Sequence, residues 1–518
     1  MKRTIFLTTA ISIVAGLGMI LLVYYLITGS LTIFSEKKAT HIVQQDDRLP
    51  LHLFVAIPAV ADTPAPENDY IRQTIEEQFD VKLKMTYARQ GDNVNSQLAS
   101  LLLANNPPDV WIGISDNDGA QFIADNVLAD MGYYVTPETM PNYFTYWIRK
   151  KELKEYQWPN KFIRAPIPYD KKSYRSYYIR KDWLDRLQLD VPKTYEQYVD
   201  VLKAFSTMDP DQNGMNDTYG FTTSGNGSSI SLDWPEYVKN GLLLPHYLDD
   251  NGNLVDMQTD PQIEQTVTDI LSVIQRGFVD PDWFLNKGNQ HVDKAVQGRA
   301  GVILGDTENF AFDSNPDSIQ NKTKAINPEA EWMPFNPFDG QPLRSTVMPG
   351  DSFVYSNAAN ADKLKRITQI LDWLASEEGF LLTHYGIENR HYTRQANFIS
   401  LNPNANFITI WNFFTPASPE VFGLQIHDPH LTARDQLIRD YLISIPIQEG
   451  VGTTLTPPLG VNVQLMRDKQ NELQVKMLFE DQSSKKWLEY RNIIMNDYKG
   501  LEIFKQYALK IVSSSRNQ

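Results

Sequence analysis

From Leu51 onward the apolar positions follow two periods in turn, one of two residues and one of three to four. Leu51–Ile57 is an apolar run closed by a Pro-rich turn, and Val81–Tyr87 alternates, so both predict strands. Between and after them, Asn68–Phe79 and Val94–Ala104 carry helical spacing. Asp109–Ile114 predicts a third strand behind the breaker Pro107-Pro108, and Gln121–Leu128 a further helix. A β-α-β-α-β-α order predicts a mainly parallel sheet covered by helices. The carboxyl ends of such strands open onto a ligand crevice.

Past Met140 the pattern becomes aromatic and irregular, and it turns regular again from Tyr177, where a second α/β body runs to about Pro334. Thr194 and Gln197 have capping-box spacing, opening a helix that buries Tyr198, Val201, Leu202 and Phe205. Trp183 belongs to an amphipathic helix and reads as core. Ile263–Gly277 predicts a helix, and Ala300–Leu304 and Met348–Tyr355 predict strands. Leu364, Ile367, Leu371 and Leu374 recur at helical spacing within Asp362–Ser376, and Gly379 stands where a helix would stop. Another apolar turn follows, then Tyr385–Tyr392, crowded with donors and rings. Gln436–Ile445 is helical up to Pro446, and Lys485–Ala508 predicts a helical tail.

The first residues follow a different rule. Lys2 and Arg3 precede an uncharged stretch from Thr4 to Ser35. Ile5–Ile27 alone is long enough to cross a hydrocarbon core of ~30 Å at ~1.5 Å per residue. No Ala-x-Ala cleavage pattern stands at 35–39. A signal anchor over 1–35 is therefore expected, basic end inside, with a polar tether over 36–49 and the remainder outside the cell. The alternative is a long cleaved signal peptide and a secreted protein.

Composition removes several chemistries. The 518 residues contain no Cys, which excludes disulfides, thiolate metal sites and a thiol nucleophile. The net charge of −15 argues against a nucleic-acid partner, which needs clustered Lys and Arg. No P-loop, Rossmann glycine pattern or Gly-x-Ser-x-Gly elbow opens a helix. A glycoside-active enzyme would need two carboxylates about 5–10 Å apart. The adjacent pairs Glu377-Glu378 and Asp249-Asp250 read instead as solvated turns. His384 and His391 form no metal spacing with another His.

One segment does have metal-loop spacing. Asp209, Asp211, Asn213 and Asp217 occupy positions 1, 3, 5 and 9 of an EF-hand-like loop, with Gly214 at 6 and the Met215 carbonyl at 7. Position 12 is Gly220, so the bidentate Glu is missing, and Tyr219–Thr223 reads as extended rather than helical. A calcium ion here would rigidify a loop, not catalyse; the alternative is an Asx-rich turn without metal.

The stretch YIRKDWLDRLQLDVPKTYEQYVDVLKAFSTMDPDQNGMNDTYGF resembles the corresponding part of family 1 extracellular solute-binding proteins of ABC importers. The DWLASEEGFLLTHYGIENRHY run, Pro107-Pro108-Asp109-Val110 and Gly298-Arg299-Ala300-Gly301 extend the resemblance over nearly all of the chain after residue 50. It is most similar to the branch holding alginate-binding and large oligosaccharide-binding proteins of Firmicutes. The resemblance implies a two-lobed, type II periplasmic-binding-protein-like α/β fold with discontinuous lobes, about 50–165 with 345–405 and about 166–344 with 406–518. It also implies a monomer that delivers a carbohydrate, an oligosaccharide foremost, to ABC permease subunits by closing its cleft. In the alginate-binding relatives a calcium loop of this kind is filled; the matching positions are Asp209, Asp211, Asn213, Met215 and Asp217. An acidic residue that follows there is Thr218 here, and the lipid-attachment Cys of surface lipoproteins is absent.

Sugars offer flat apolar faces ringed by hydroxyls, so aromatic platforms with a few polar groups suit them. The candidates are Trp234, Tyr237, Trp283, Tyr392 and Trp411, with Arg390 beside Tyr392 and Asp116 just past the third strand. Core packing is the alternative for each ring. Two other classes stay open: a membrane-tethered sensory or peptide-binding module of the same fold, and the glycoside-active enzyme.

Overall fold

A computed structural model describes residues 47–516, apart from 59–60, 90–93, 116–125, 156–161, 244–246, 249–253, 339, 346–350 and 449–461. The expected anchor over 1–35, nearly all of the tether, Asp116, most of the helix at Gln121–Leu128 and the Asp249-Asp250 pair lie outside the described residues. No described helix is long and apolar enough to cross a membrane.

Residues 48–518 form one compact unit built around two main sheets, each with its own apolar core, and two smaller sheets. The chain enters the first lobe through β1 (Leu49–Ile57), β2 (Val81–Arg89), β3 (Val110–Ser115) and β4 (Ala165–Pro166). It then builds the second through β5 (Ser176–Arg180), β6 (Tyr219–Phe221), a small hairpin β7–β8 (Tyr247–Leu248, Leu254–Val255), β9 (Ala300–Gly305) and β10 (Trp332–Phe335). It returns to the first with β11 (Asp351–Tyr355) and a small sheet of β12 (Tyr392–Gln395), β13 (Phe398–Leu401) and β14 (Gln425–His427). The first sheet has the order β2-β1-β3-β11-β4, with β1 parallel to β2 and β3, and β11 antiparallel to β3 and β4. The second has the order β10-β5-β9-β6, with β5 antiparallel to β9 and β10.

Local rules account for much of this. Thr194 and Gln197 make the reciprocal capping box, and Tyr195–Thr207 buries Tyr198, Val201, Leu202 and Phe205. Ser176–Arg180 forms β5, buried along its whole length between β9 and β10, and two expectations further along the chain give way. Only Lys181–Leu187 is helical there, with Trp183 fully buried as expected. Gly379 does not stop a helix. Ala361–Leu374 ends at Ala375, Ser376 caps a new helix Glu377–Tyr385, and Gly379 lies in its first turn. A Cβ there would stand 2.1 Å from the Trp373 carbonyl oxygen, so close approach of backbone is what requires glycine. The helical tail is broken into Trp487–Asn492, a π turn Ile493–Asp497 and Gly500–Arg516.

The lobe division also shifts. Ile410, Trp411, Phe414 and Leu424 pack with β1, β3 and β11, so residues 406–427 belong to the first core rather than the second. The last crossing falls just before the helix Ala433–Ser444, whose Ile438 and Leu442 pack with Trp332 and Phe312 of the second lobe.

Candidate ligand site at the lobe junction

Strand direction locates the site. In the first sheet β1, β2 and β3 run parallel, β4 runs with them, and β11 enters at Asp351 opposite Ser115. The chain therefore leaves this lobe after β4, and re-enters it at β11, on the carboxyl side of the parallel strands. In the second sheet Ser176 at the start of β5 faces Gly305 at the end of β9, and Phe335 ends β10 opposite Tyr177. Entry and exit again lie on the carboxyl side of β6, β9 and β10. Both sheets thus turn their carboxyl ends to the same two crossing segments, 167–175 and the described residues between Asn336 and Ser345, where α/β sheets hold ligands.

On the second lobe this end carries a wired polar surface. Arg175 Nη2 donates to the Leu232 carbonyl at 2.8 Å and lies 3.7 Å from Asp233. The Thr223 hydroxyl stands 3.1 Å from Asp233 Oδ2 and 2.7 Å from Ser231 Oγ, and Tyr177 Oη donates to the Asp233 carbonyl. Arg344, on the second crossing, has a buried Nε with no hydrogen-bond partner. Asp306 follows β9 and is exposed. On the first lobe, Asp351 is exposed at the mouth of β11, yet desolvation by its surroundings raises its carboxyl above the usual range.

The aromatic candidates lie in the cores. Trp234, Tyr237 and Trp283 belong to the second core, where the Trp234 and Trp283 rings meet edge to face at 5.1 Å. Trp411 donates Nε1 to both oxygens of Asp69, at 2.8 and 3.0 Å, while Asp69 caps the helix Tyr70–Gln78. Tyr392 is buried with the same core. Rings at 1–6 % exposure, packed against protein, present no open face to a sugar in this conformation. The structure does bring Arg390 and Trp411 to one neighbourhood, around Tyr70 and His391, whose rings stack at 5.3 Å. Sequence reasoning missed Arg175, Asp233, Asp306, Arg344 and Asp351, which stand at strand ends and crossings. No spacing links them; the strand directions do.

The 209–217 loop lies elsewhere. It feeds β6 from its amino end, away from the crossings. Asp209 accepts from the backbone N–H groups of Asn213 and Gly214, and Gly214 takes the left-handed φ of +79° that the turn needs. Asn213 Nδ2 donates to Asp211 and Asp217. The carboxyl of Asp211 is raised, by desolvation first and then by Asp209 and Asp217, and its Oδ1 is buried without a hydrogen-bond partner. An oxygen-rich set with one orphaned oxygen fits a hard cation such as calcium. The Thr218 hydroxyl is buried and donates to the Phe205 carbonyl at 2.7 Å. Among the described residues no group of three His, Cys, Asp or Glu side chains is gathered as a metal cage.

Three carboxylates away from the junction have partners within the protein. Glu377 pairs with Arg394 and Glu378 accepts from Trp373 Nε1, both in the first turn of their helix. Glu236, raised by burial to about 7, is fully enclosed and accepts from Tyr195 Oη at 2.7 Å.

Comparison with known proteins adds independent findings. The model of a family described as bacterial extracellular solute-binding protein matches residues 71–387. The polygalacturonan/rhamnogalacturonan-binding protein YtcQ of Bacillus subtilis is 23% identical over 357 residues, covering 64% of this chain and 64% of that protein. The chain therefore aligns with just under two thirds of that relative's length. Among solved structures, an HMO-binding, ABC-transporter-associated solute-binding protein of Bifidobacterium longum infantis superposes with a TM-score of 0.68 at 18% identity, covering 90% of this chain and 98% of that one. An EF-hand mutant of the S. pneumoniae ABC-transporter substrate-binding protein FusA, in complex with fructo-nystose, gives 0.66 at 16% identity, with 90% and 100% covered. At these identities the structural matches speak to the fold.

Proposed function

The chain belongs to the bacterial extracellular solute-binding protein family, and from that premise we propose that it captures an oligosaccharide between its two lobes and delivers it to an ABC importer. One observation carries this reading. Both sheets present the carboxyl ends of their parallel strands, with a hydrogen-bonded polar surface, to the same pair of crossing segments. The relatives' printed descriptions name sugars as ligands, which supports the substrate class. A ligand touching both lobes favours the closed arrangement by its differential contacts, and closure is how such a protein signals that it is loaded. The lobe-2 groups Arg175, Asp233 and Thr223 would orient hydroxyls, and Asp351 would approach from the first lobe. The buried rings Trp234, Tyr237, Trp283, Tyr392 and Trp411 support the walls, and Arg390 borders the first. The chain acts as a binder, not an enzyme.

Two finer features belong to the same proposal. The apolar stretch at 5–27 anchors the protein in the membrane as a monomer with its lobes outside. The 209–217 loop binds calcium through Asp209, Asp211, Asn213, the Met215 carbonyl and Asp217, which would pin the turn between the helix Tyr195–Thr207 and β6.

The test is a thermal-shift screen of the full chain against an oligosaccharide panel, followed by recovery of any hit. Ligand that binds only the folded state raises the melting temperature. A saturable shift with the sugar recovered intact supports the reading. Cleaved sugar would replace it with the hydrolase, and no shift from any sugar would end it.

A further inference from the structure

His391 is only 4 % exposed, yet one of its ring nitrogens is left open. Its loop fixes the ring. Nδ1 accepts from the Ile387 backbone N–H at 2.8 Å, the His391 backbone N–H donates to the Ile387 carbonyl, and the His391 carbonyl accepts from Asn402. Tyr70 stacks on the ring at 5.3 Å, and Phe407 meets it at 5.9 Å, tilted by 43°. A ring nitrogen that accepts carries no proton, so the neutral imidazole holds its proton on Nε2. Desolvation first, and then the Arg390 charge, lower its pKa from the usual value and favour that neutral form. Among the described residues Nε2 has no hydrogen-bond partner, and unlike the Arg344 Nε it is not shut off from the surface. A histidine kept for packing alone engages both nitrogens, as His384 does with Thr383 and the Thr415 carbonyl. His391 instead offers a single N–H donor, fixed in tautomer and direction, flanked by two half-buried rings.

Topology places this donor on the rim that the first sheet turns toward the crossings. Tyr70 opens the helix Tyr70–Gln78, which returns the chain from β1 to β2. Because β1 and β2 are parallel, that helix begins on the carboxyl side of the sheet. Its first turn is tied down by Asp69, which accepts from Arg72 N and from Trp411 Nε1. In the order β2-β1-β3-β11-β4, β1 stands three strands from β4, which leads into the first crossing. At about 4.8 Å per strand that is roughly 14 Å. One monosaccharide does not reach across it.

We propose that His391 Nε2, flanked by Tyr70 and Phe407, forms an outer sugar subsite on the first lobe, filled by an oligosaccharide long enough to run from the crossings along the strand ends. This rests on the oligosaccharide-binding reading above and adds to it a position and a minimum length. The rings give apolar flanks to a sugar face, and the N–H donates to an oxygen of the same unit. A neutral donor ranks ligands by reach rather than by charge.

The test is titration calorimetry on the full chain with fructo-oligosaccharides, malto-oligosaccharides and oligogalacturonates, each from the disaccharide to the hexasaccharide. In a series that binds, affinity is expected to step up by about fivefold where the chain first reaches the donor. His391→Asn keeps an acceptor near the Nδ1 position and removes the outer N–H, and it is expected to flatten that step. His391→Gln carries an amide N–H out toward the Nε2 position and is expected to restore part of it. Both variants lose the ring, so a difference between them reports the donor and not the packing. Binding that does not step with length overturns the subsite, as does a step that survives His391→Asn. The two variants behaving alike, or weakening short and long members equally, overturns it too. Binding of disaccharides alone removes the subsite and spares the proposed function, whereas binding of no sugar removes both.

Discussion

Three buried groups, two in the first lobe and one in the second, respond to acid with opposite sign. In the first, His52 and His384 are buried and held at about 4 rather than the usual 6.5, chiefly by desolvation. His52 lies on β1 with Nε2 2.8 Å from Thr86, and His384 stacks on Phe380 with Nε2 3.1 Å from the Thr415 carbonyl oxygen. In the second, burial raises Glu236 from 4.5 to about 7. The unfolded chain protonates both histidines before the folded one does, so the first lobe loses stability as pH falls from 6.5 towards 4. Folded Glu236 keeps a proton that the unfolded chain releases, so the second lobe loses stability as pH rises from 4.5 to 7. His291 in the second lobe is lowered too and blurs the contrast. The lesson is that His52, His384 and Glu236 are buried side chains whose shifts bear on stability, apart from the polar surface at the crossings.

The largest expected effect breaks the lobes one at a time. Trp234→Ala and Trp411→Ala each open a core at a fully buried ring and should cost ~3–5 kcal/mol in urea unfolding. Trp411→Ala should cost the more, since it also takes the indole donor from Asp69. If either ring served mainly as a ligand platform, its loss would weaken sugar binding and leave unfolding nearly unchanged.

The next effect sharpens the contrast directly. Glu236→Gln should remove a pH slope of about 3 kcal/mol between pH 4.5 and 7, making the chain more stable at neutral pH. His384→Leu should act in the other direction, relieving acid loss of similar order below pH 6.5. Unfolding curves at pH 4.5, 6 and 7.5 read both. Parallel shifts of the two variants at every pH would erase the distinction between the lobes.

The smallest effect concerns a site outside the contrast. Calcium should raise the melting temperature by the equivalent of ~1–2 kcal/mol, and Asp211→Asn should abolish the gain without altering sugar affinity. A calcium effect on affinity equal to its effect on melting would couple the loop to the junction, against its position at the amino end of β6.

Several features were legible without coordinates because short-range rules decide them. The Thr194–Gln197 capping box needs residues three apart, and the helical spacing of Leu364, Ile367, Leu371 and Leu374 needs one face of one helix. The turn at Gly214 follows from spacing within nine residues. The alternation of strands and helices carried the two α/β bodies, since apolar period reports which face is covered, while their two-lobed, discontinuous arrangement came from the family resemblance.

What covers a face is a different matter. A tryptophan beside apolar neighbours satisfies the same pattern whether its ring meets a core or a ligand, and packing put Trp234, Trp283 and Trp411 in the cores. Ser176–Arg180 is a strand because two neighbours pair with it, a long-range choice that local propensity does not contain. Gly379 is glycine because of a carbonyl from the preceding helix, not because a helix ends there. The junction shows the limit most clearly. Charge and residue type at Arg175 and Asp233 are written in the chain, but their approach to 3.7 Å exists only once the second sheet turns its carboxyl ends toward the crossings. Local interactions act over a few residues and are set by sequence spacing, whereas electrostatic partnership depends on distance in space, which the fold alone decides.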